Sequence, residues 1–136
     1  MSWKTAYRSL YYAAAPAPDD MVLPPNETAL LVIDIQNTYL DRPQRATLTA
    51  AEQRLFDAWT PFHVRMHGQV IPRTAALIDF CRRHDIERLF ARIACHTADG
   101  RDRSLSQKMP GWNNLLLPKG GQPSQIVPQL APLGDE

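Results

Sequence analysis

An α/β fold, with a parallel sheet covered by helices on both faces, follows from three features of the sequence. Residues 28–35 (T-A-L-L-V-I-D-I) form a nearly continuous apolar run of the kind found in strands buried on both sides. A helical stripe then carries Phe62, Met66, Val70, Leu77 and Cys81, with Thr74 and Ile78 beside it. A second apolar stretch, residues 88–94 (R-L-F-A-R-I-A), follows the stripe. Strand, helix and strand in that order make a βαβ unit, whose strands lie parallel and whose crossover is right-handed. The expected architecture is therefore Rossmann-like, three layers in the order α/β/α, incomplete within these 136 residues.

Each element has its own local cause. Residues 1–27 read as an extended arm before a domain at 28–136. Trp3, Tyr7, Leu10, Tyr11 and Tyr12 give the arm apolar area, while Ala15-Pro16-Ala17-Pro18 and Pro24-Pro25 bar regular helix or interior strand. Aromatic area of that size is expected to wrap over its own domain or a neighbouring subunit. After the first strand and a polar loop, residues 49–59 predict a short helix, with Leu55, Phe56 and Trp59 at near-helical spacing. Thr60-Pro61 reads as a second start, Thr as N-cap and Pro in the first turn. One long helix is expected from there to about His84, kinked at Pro72, which offers no N–H to the carbonyl of Gly68. Residues 95–122 read as a long polar loop, with a short ordered segment at 112–117 anchored by Trp112. Ser124 to Leu130 suits a brief helix.

Composition narrows the function classes. The 136 residues hold 15 Lys+Arg and 14 Asp+Glu, a formal net charge of +1, which argues against bulk nucleic-acid or anionic-membrane binding. No apolar run has the length of a membrane span, and Tyr7, Arg8 and Ser9 interrupt any signal-peptide core. Two cysteines support neither a disulfide framework nor a four-thiolate zinc site, so a cytoplasmic setting is expected. A nucleotide-binding, flavodoxin-like domain is disfavoured, because residues 36–43 contain no glycine for a phosphate loop.

Asp34 is the first candidate for chemistry. A carboxylate ending an apolar strand is either desolvated, paired, or standing in a pocket at the sheet edge, and in open α/β sheets the pocket lies outside the carboxyl ends of the strands. There it can act as a proton acceptor; the plainer alternative is that it caps the following turn through Asn37.

The stretch A-L-L-V-I-D-I-Q-N-T-Y-L, residues 29–40, resembles the opening strand of the isochorismatase-like cysteine hydrolases, a superfamily that includes nicotinamidases and N-carbamoylsarcosine amidohydrolase. V-I-P-R-T-A-A-L-I-D-F-C-R-R-H-D-I, residues 70–86, resembles that family's first long helix, and I-V-P-Q-L-A-P, residues 126–132, the segment leading into its next strand. The resemblance implies hydrolysis of a C–N bond in a small-molecule amide by a Cys-Asp-Lys triad, without a cofactor, in a homo-oligomer. Asp34 would be the base that takes the thiol proton, and the thiolate would attack the carbonyl. Gln36, Asn37 and Tyr39 would shape the substrate pocket, with His96 beside it. The family's Lys and Cys fall after the segment matching 126–132, so both are expected beyond Glu136.

Other residues offer partial matches to the missing roles. Lys119 lies in a Gly-rich loop ahead of the matching segment. Cys81 falls on the apolar stripe and reads as core packing. Cys95, beside His96, could be a low-pKa thiol at the same sheet edge as Asp34, with structural packing favoured. No metal site is expected: His63, His67, His84 and His96 are scattered, and the pair at 63 and 67 lacks a third ligand. Arg101, Arg103 and Lys108, with Asp99 and Asp102, form either a substrate- or subunit-facing cluster or a solvated loop. The competing reading of the whole is a catalytically incomplete chain that works as an oligomerisation or interaction partner.

Overall fold

The computed structural model describes residues 4–109 and 115–136. Strand β1 (Ala29–Ile33) pairs in parallel with β2 (Glu87–Ala91), in register from Ala29 opposite Glu87 to Ile33 opposite Ala91. Between them run a single helical turn, α1 (Asn37–Leu40), then α2 (Ala50–Arg65), a wide π turn (Met66–Val70) and α3 (Ile71–Arg83). The fold is thus mixed α/β, with a parallel pair joined by a helical crossover.

The start of α2 matches a local signal. Thr49 accepts from the Glu52 amide while the Glu52 carboxylate accepts from the Thr49 amide, a capping box that satisfies two otherwise orphaned N–H groups. The second start expected at Thr60-Pro61 is absent, and α2 runs straight through it. Pro61 has no N–H for the carbonyl of Asp57. One position earlier the backbone is braced: the Thr60 hydroxyl bonds back to the carbonyl of Phe56 at 3.0 Å, and the Arg42 guanidinium donates to the same carbonyl. The disruption expected at Pro72 arrives one turn earlier, as the π turn, whose closing N–H from Ile71 reaches the carbonyl of Met66. That five-residue step also rotates the helix face. Ile71, Ala75 and Ile78 follow Met66 into the core, whereas Leu77, expected on the stripe, is half exposed.

The core gathers Val32, Leu40, Ile71, Ile78, Ile126, Val127 and Leu130, with Leu30, Ile35, Met66, Ala75 and Phe90 packed around them. Side chains alternate along each strand, so Leu30, Val32 and Phe90 turn toward this core. Leu31, Ile33 and Leu89 turn the other way and are 52%, 56% and 45% exposed. Among the described residues helices cover one face of the sheet, not the two expected from the continuous apolar run.

Two further expectations change. Residues 124–130 are not a helix: Pro123 and Pro128 confine regular structure to two 3₁₀ turns (Gln122–Ser124 and Pro128–Leu130), with Ile126 extended between them in an antiparallel bridge to Gln36. The arm does not wrap over its own domain either. Lys4 binds Asp20 at 2.6 Å and the Arg8 guanidinium grips the carbonyls of Ala15 and Pro16, closing the arm on itself. Tyr7, Leu10 and Tyr11 are left almost fully exposed, and among the described residues of the arm Leu23 and Pro25 reach a hollow beside Leu77 and Phe80. Trp112, expected to anchor the segment 112–117, lies outside the described residues.

The carboxylate of Glu136 closes the structure from the far end. It receives both Arg82 (2.7 Å) and Arg88 (2.8 Å), joining α3 to the start of β2, with only 7% of its side chain exposed.

Candidate functional site

Asp34 follows the last residue of β1, and its N–H still reaches across to the Ala91 carbonyl at 2.9 Å. One residue later the strand has ended, because Asp34 sits in the left-handed region at φ +56°, a conformation that costs a non-glycine residue and turns the chain sharply. The turn places Asp34 on the wall of a cavity of about 440 Å³ outside the carboxyl end of the strand. The other walls are Thr38, Tyr39 and Leu40 from α1, and Trp59, Phe62, His63 and Met66 from the α2 end of the long helix. Those last four recur three and four residues apart, so they share one helical face. No hydrogen bond or ion pair engages the Asp34 carboxylate among the described residues.

The aromatic walls meet at right angles. The rings of Trp59 and Phe62 lie 5.6 Å apart with an 88° angle between planes, and those of Phe62 and His63 lie 5.2 Å apart at 84°. His63 stacks on His67 at 6.4 Å. Burial, then the nearby charges of Arg42 and His67, lower the pKa of His63 and so favour the neutral imidazole. Its Nδ1 is buried without a hydrogen-bond partner among the described residues.

Gln36 and Asn37 are not at the mouth of this cavity. Gln36 is fully buried and its amide is spent: Nε2 donates to the carbonyls of Ile93 (2.9 Å) and Ser124 (2.8 Å), and Oε1 accepts from the Ile93 N–H (2.9 Å). A side chain with its donors and acceptor committed to backbone is a tether between chain segments. Asn37 is likewise buried, donates to the carbonyl of Gln122 at 2.9 Å, and lines a separate hollow with Gln122 and Gln125.

Tyr39 does stand beside Asp34, and it also lines a smaller neighbouring cavity of about 140 Å³ with Cys95, Asp102, Arg103 and Leu117. Cys95 is buried and held in place by backbone: its N–H donates to Leu117 (2.7 Å) and its carbonyl accepts from Lys119 (2.8 Å). His96 is exposed and lines neither cavity, because its N–H is drawn to Asp102 (2.7 Å) and the chain turns outward there. It is not brought to Asp34. Lys119 is also exposed and outside both cavities.

The charged loop is braced internally. Asp102 accepts from the amides of His96 and Thr97 and from the Thr97 hydroxyl, which hold its carboxyl well below the ordinary range. Arg103 and Lys108 donate to the carbonyls of Gln107 and Arg101. No group of three or more His, Cys, Asp or Glu is placed to hold a metal among the described residues, and no helix among them is long and apolar enough to cross a membrane.

No protein-family model matches the chain, and no curated protein matches it. The functional reading therefore rests on the residues themselves. Sequence reasoning does not single out Trp59 or Phe62 as site residues and considers His63 only as a metal ligand; their signal is a shared helical face, which the expected break at Thr60-Pro61 divides between two helices.

Proposed function

We propose that residues 28–136 are the amino-terminal part of an isochorismatase-like cysteine hydrolase that cleaves a C–N bond of a small amide. Asp34 serves as the base, with the lysine and the nucleophilic cysteine supplied from outside residues 1–136. The observation that supports this most is the position of Asp34: a carboxylate with no partner among the described residues, held at φ +56° just past a parallel strand, on the wall of a cavity. Ligands of open α/β sheets bind at that end of the strands, and a base must stand free to meet the proton it takes. Tyr39 shapes the same cavity. The reading carries with it a Rossmann-like three-layer sheet, no cofactor, a homo-oligomer and a cytoplasmic setting, the last in keeping with the unpaired thiols of Cys81 and Cys95.

The deciding experiment is to sequence the reading frame after the codon for Glu136 and assay the product of the full frame on small amides. The expected outcome is a further strand ending in Lys, a Cys at a helix start, and turnover abolished by Asp34→Ala. A frame without those residues sinks the hydrolase reading. Residues 1–136 by themselves are expected to be inactive. Turnover by that chain would instead place the nucleophile within it, at Cys95.

A second reading, an interaction partner working without catalysis, is favoured by the bare sheet face at Leu31, Ile33 and Leu89. Apolar area of this kind is normally covered, here by a second copy of the chain. Sedimentation of the wild type is expected to give a dimer that Leu31→Asp dissociates; a stable wild-type monomer would count against this reading.

A further inference from the structure

We propose that the Asp34 cavity binds a small organic cation, an alkylammonium or quaternary ammonium group, between aromatic faces and one carboxylate. Trp59 and Phe62, perpendicular at 5.6 Å, form a corner, and Tyr39 stands on the same cavity. Aromatic faces carry negative quadrupole density and attract cations held against them; several rings set at angles around one point are the usual receptor for an ammonium head. Asp34 adds a full negative charge on the same wall, with no counter-ion among the described residues.

Among the described residues no Lys or Arg lines the cavity. Burial, Arg42 and His67 favour the neutral form of His63. Arg42 lines the adjoining hollow rather than this one, where it lies 3.4 Å over the Phe56 ring and donates to the Phe56 carbonyl and the Thr60 hydroxyl. An anionic ligand would be repelled by Asp34. A neutral one can donate a hydrogen bond to that carboxylate but leaves its charge unpaired. A cation meets both the charge and the rings, and about 440 Å³ admits a head group of several methyl groups with a short substituent.

The inference goes beyond the hydrolase reading, because it needs the charge of Asp34 and not its basicity. The two also fail separately: the reading frame decides one, and binding to the 136-residue chain decides the other. The test is calorimetric titration of that chain with choline and with its neutral isostere 3,3-dimethylbutan-1-ol. Choline is expected to bind saturably and the isostere about tenfold more weakly or worse. Asp34→Asn, which keeps the shape and removes the charge, and Trp59→Leu are each expected to lose about tenfold in choline affinity. Equal binding of the two probes by the wild type, or no binding of choline, overturns the proposal whether or not the variants fold. Choline affinity unchanged in a folded Asp34→Asn overturns it as well.

Discussion

Replacing Glu136 by Gln removes one negative charge and little else, so it isolates what the carboxylate contributes between Arg82 and Arg88. The two guanidinium groups, Arg82 foremost, and the amide of Leu133 lower the carboxyl from 4.5 to about 2, against the opposing effect of burial. At about 1.4 kcal/mol per pH unit the full drop corresponds to about 3 kcal/mol. Arg82 and Arg88 keep 25% and 22% of their side chains in water, so screening reduces the contribution to about 2 kcal/mol. The folded-state value lies below the unfolded one. The stabilisation is therefore complete above about pH 5 and is lost as pH falls toward 2. Urea denaturation followed by far-UV circular dichroism should place Glu136→Gln about 2 kcal/mol below the wild type at pH 7. More than half of that gap should be gone by pH 3. Comparing the two proteins cancels the other carboxylates, Asp102 among them. An equal gap at pH 7 and pH 3 would show that packing, not charge, was lost; no gap at pH 7 would show that the clasp contributes nothing.

Three other perturbations test separate parts of the fold. Gln36→Leu leaves the Ile93 amide and the carbonyls of Ile93 and Ser124 without their partner, and should cost about 3 kcal/mol or more in urea denaturation; a loss under about 1 kcal/mol would mean that water reaches these groups. Thr49→Ala removes the capping box at α2 and should lower stability by about 1 kcal/mol in the same assay, with no change refuting the cap's importance. At Asp34, with φ +56°, Asp34→Gly should be as stable as the wild type or more so, while Asp34→Val should lose more than about 1 kcal/mol. The opposite order would contradict the left-handed turn.

What could be read from the residues, and what could not, divides along local and distant causes. The two strands were legible because short apolar runs bounded by polar residues have few other fates, and β1 and β2 lie within the predicted stretches 28–35 and 88–94. Asp34 was legible for the same reason, as the polar residue that ends a strand. The helix was misread at Thr60-Pro61, where a pair that looks like a start is carried through by Arg42, eighteen residues away from Thr60. The apolar stripe was misphased after Met66, because periodicity assumes 3.6 residues per turn and a π turn inserts one more. Gln36 is placed in the pocket by the family resemblance; what turns its amide inward is backbone 57 and 88 residues further on. Which sheet face the helices cover was not legible, because composition distinguishes an apolar face from a polar one, and not a covered face from a bare one.

The Gln36 tether also bears on the order in which the chain can fold. Its three hydrogen bonds close loops of 57 and 88 residues at a single side chain, and loops of that length are slow to form compared with helix α2 or α3. On the ribosome, the helices can be complete while Gln36 still waits for Ser124 to emerge from the exit tunnel. Until it does, Asp34 and Tyr39 lack the segment that fixes the turn between them. The cavity is thus expected to be among the last parts of the domain to mature during synthesis and among the first to open afterwards. A nascent chain arrested before residue 124 would lack Ile126, Val127 and Leu130, and so leave the core residues they pack against uncovered, in the state a chaperone would recognise.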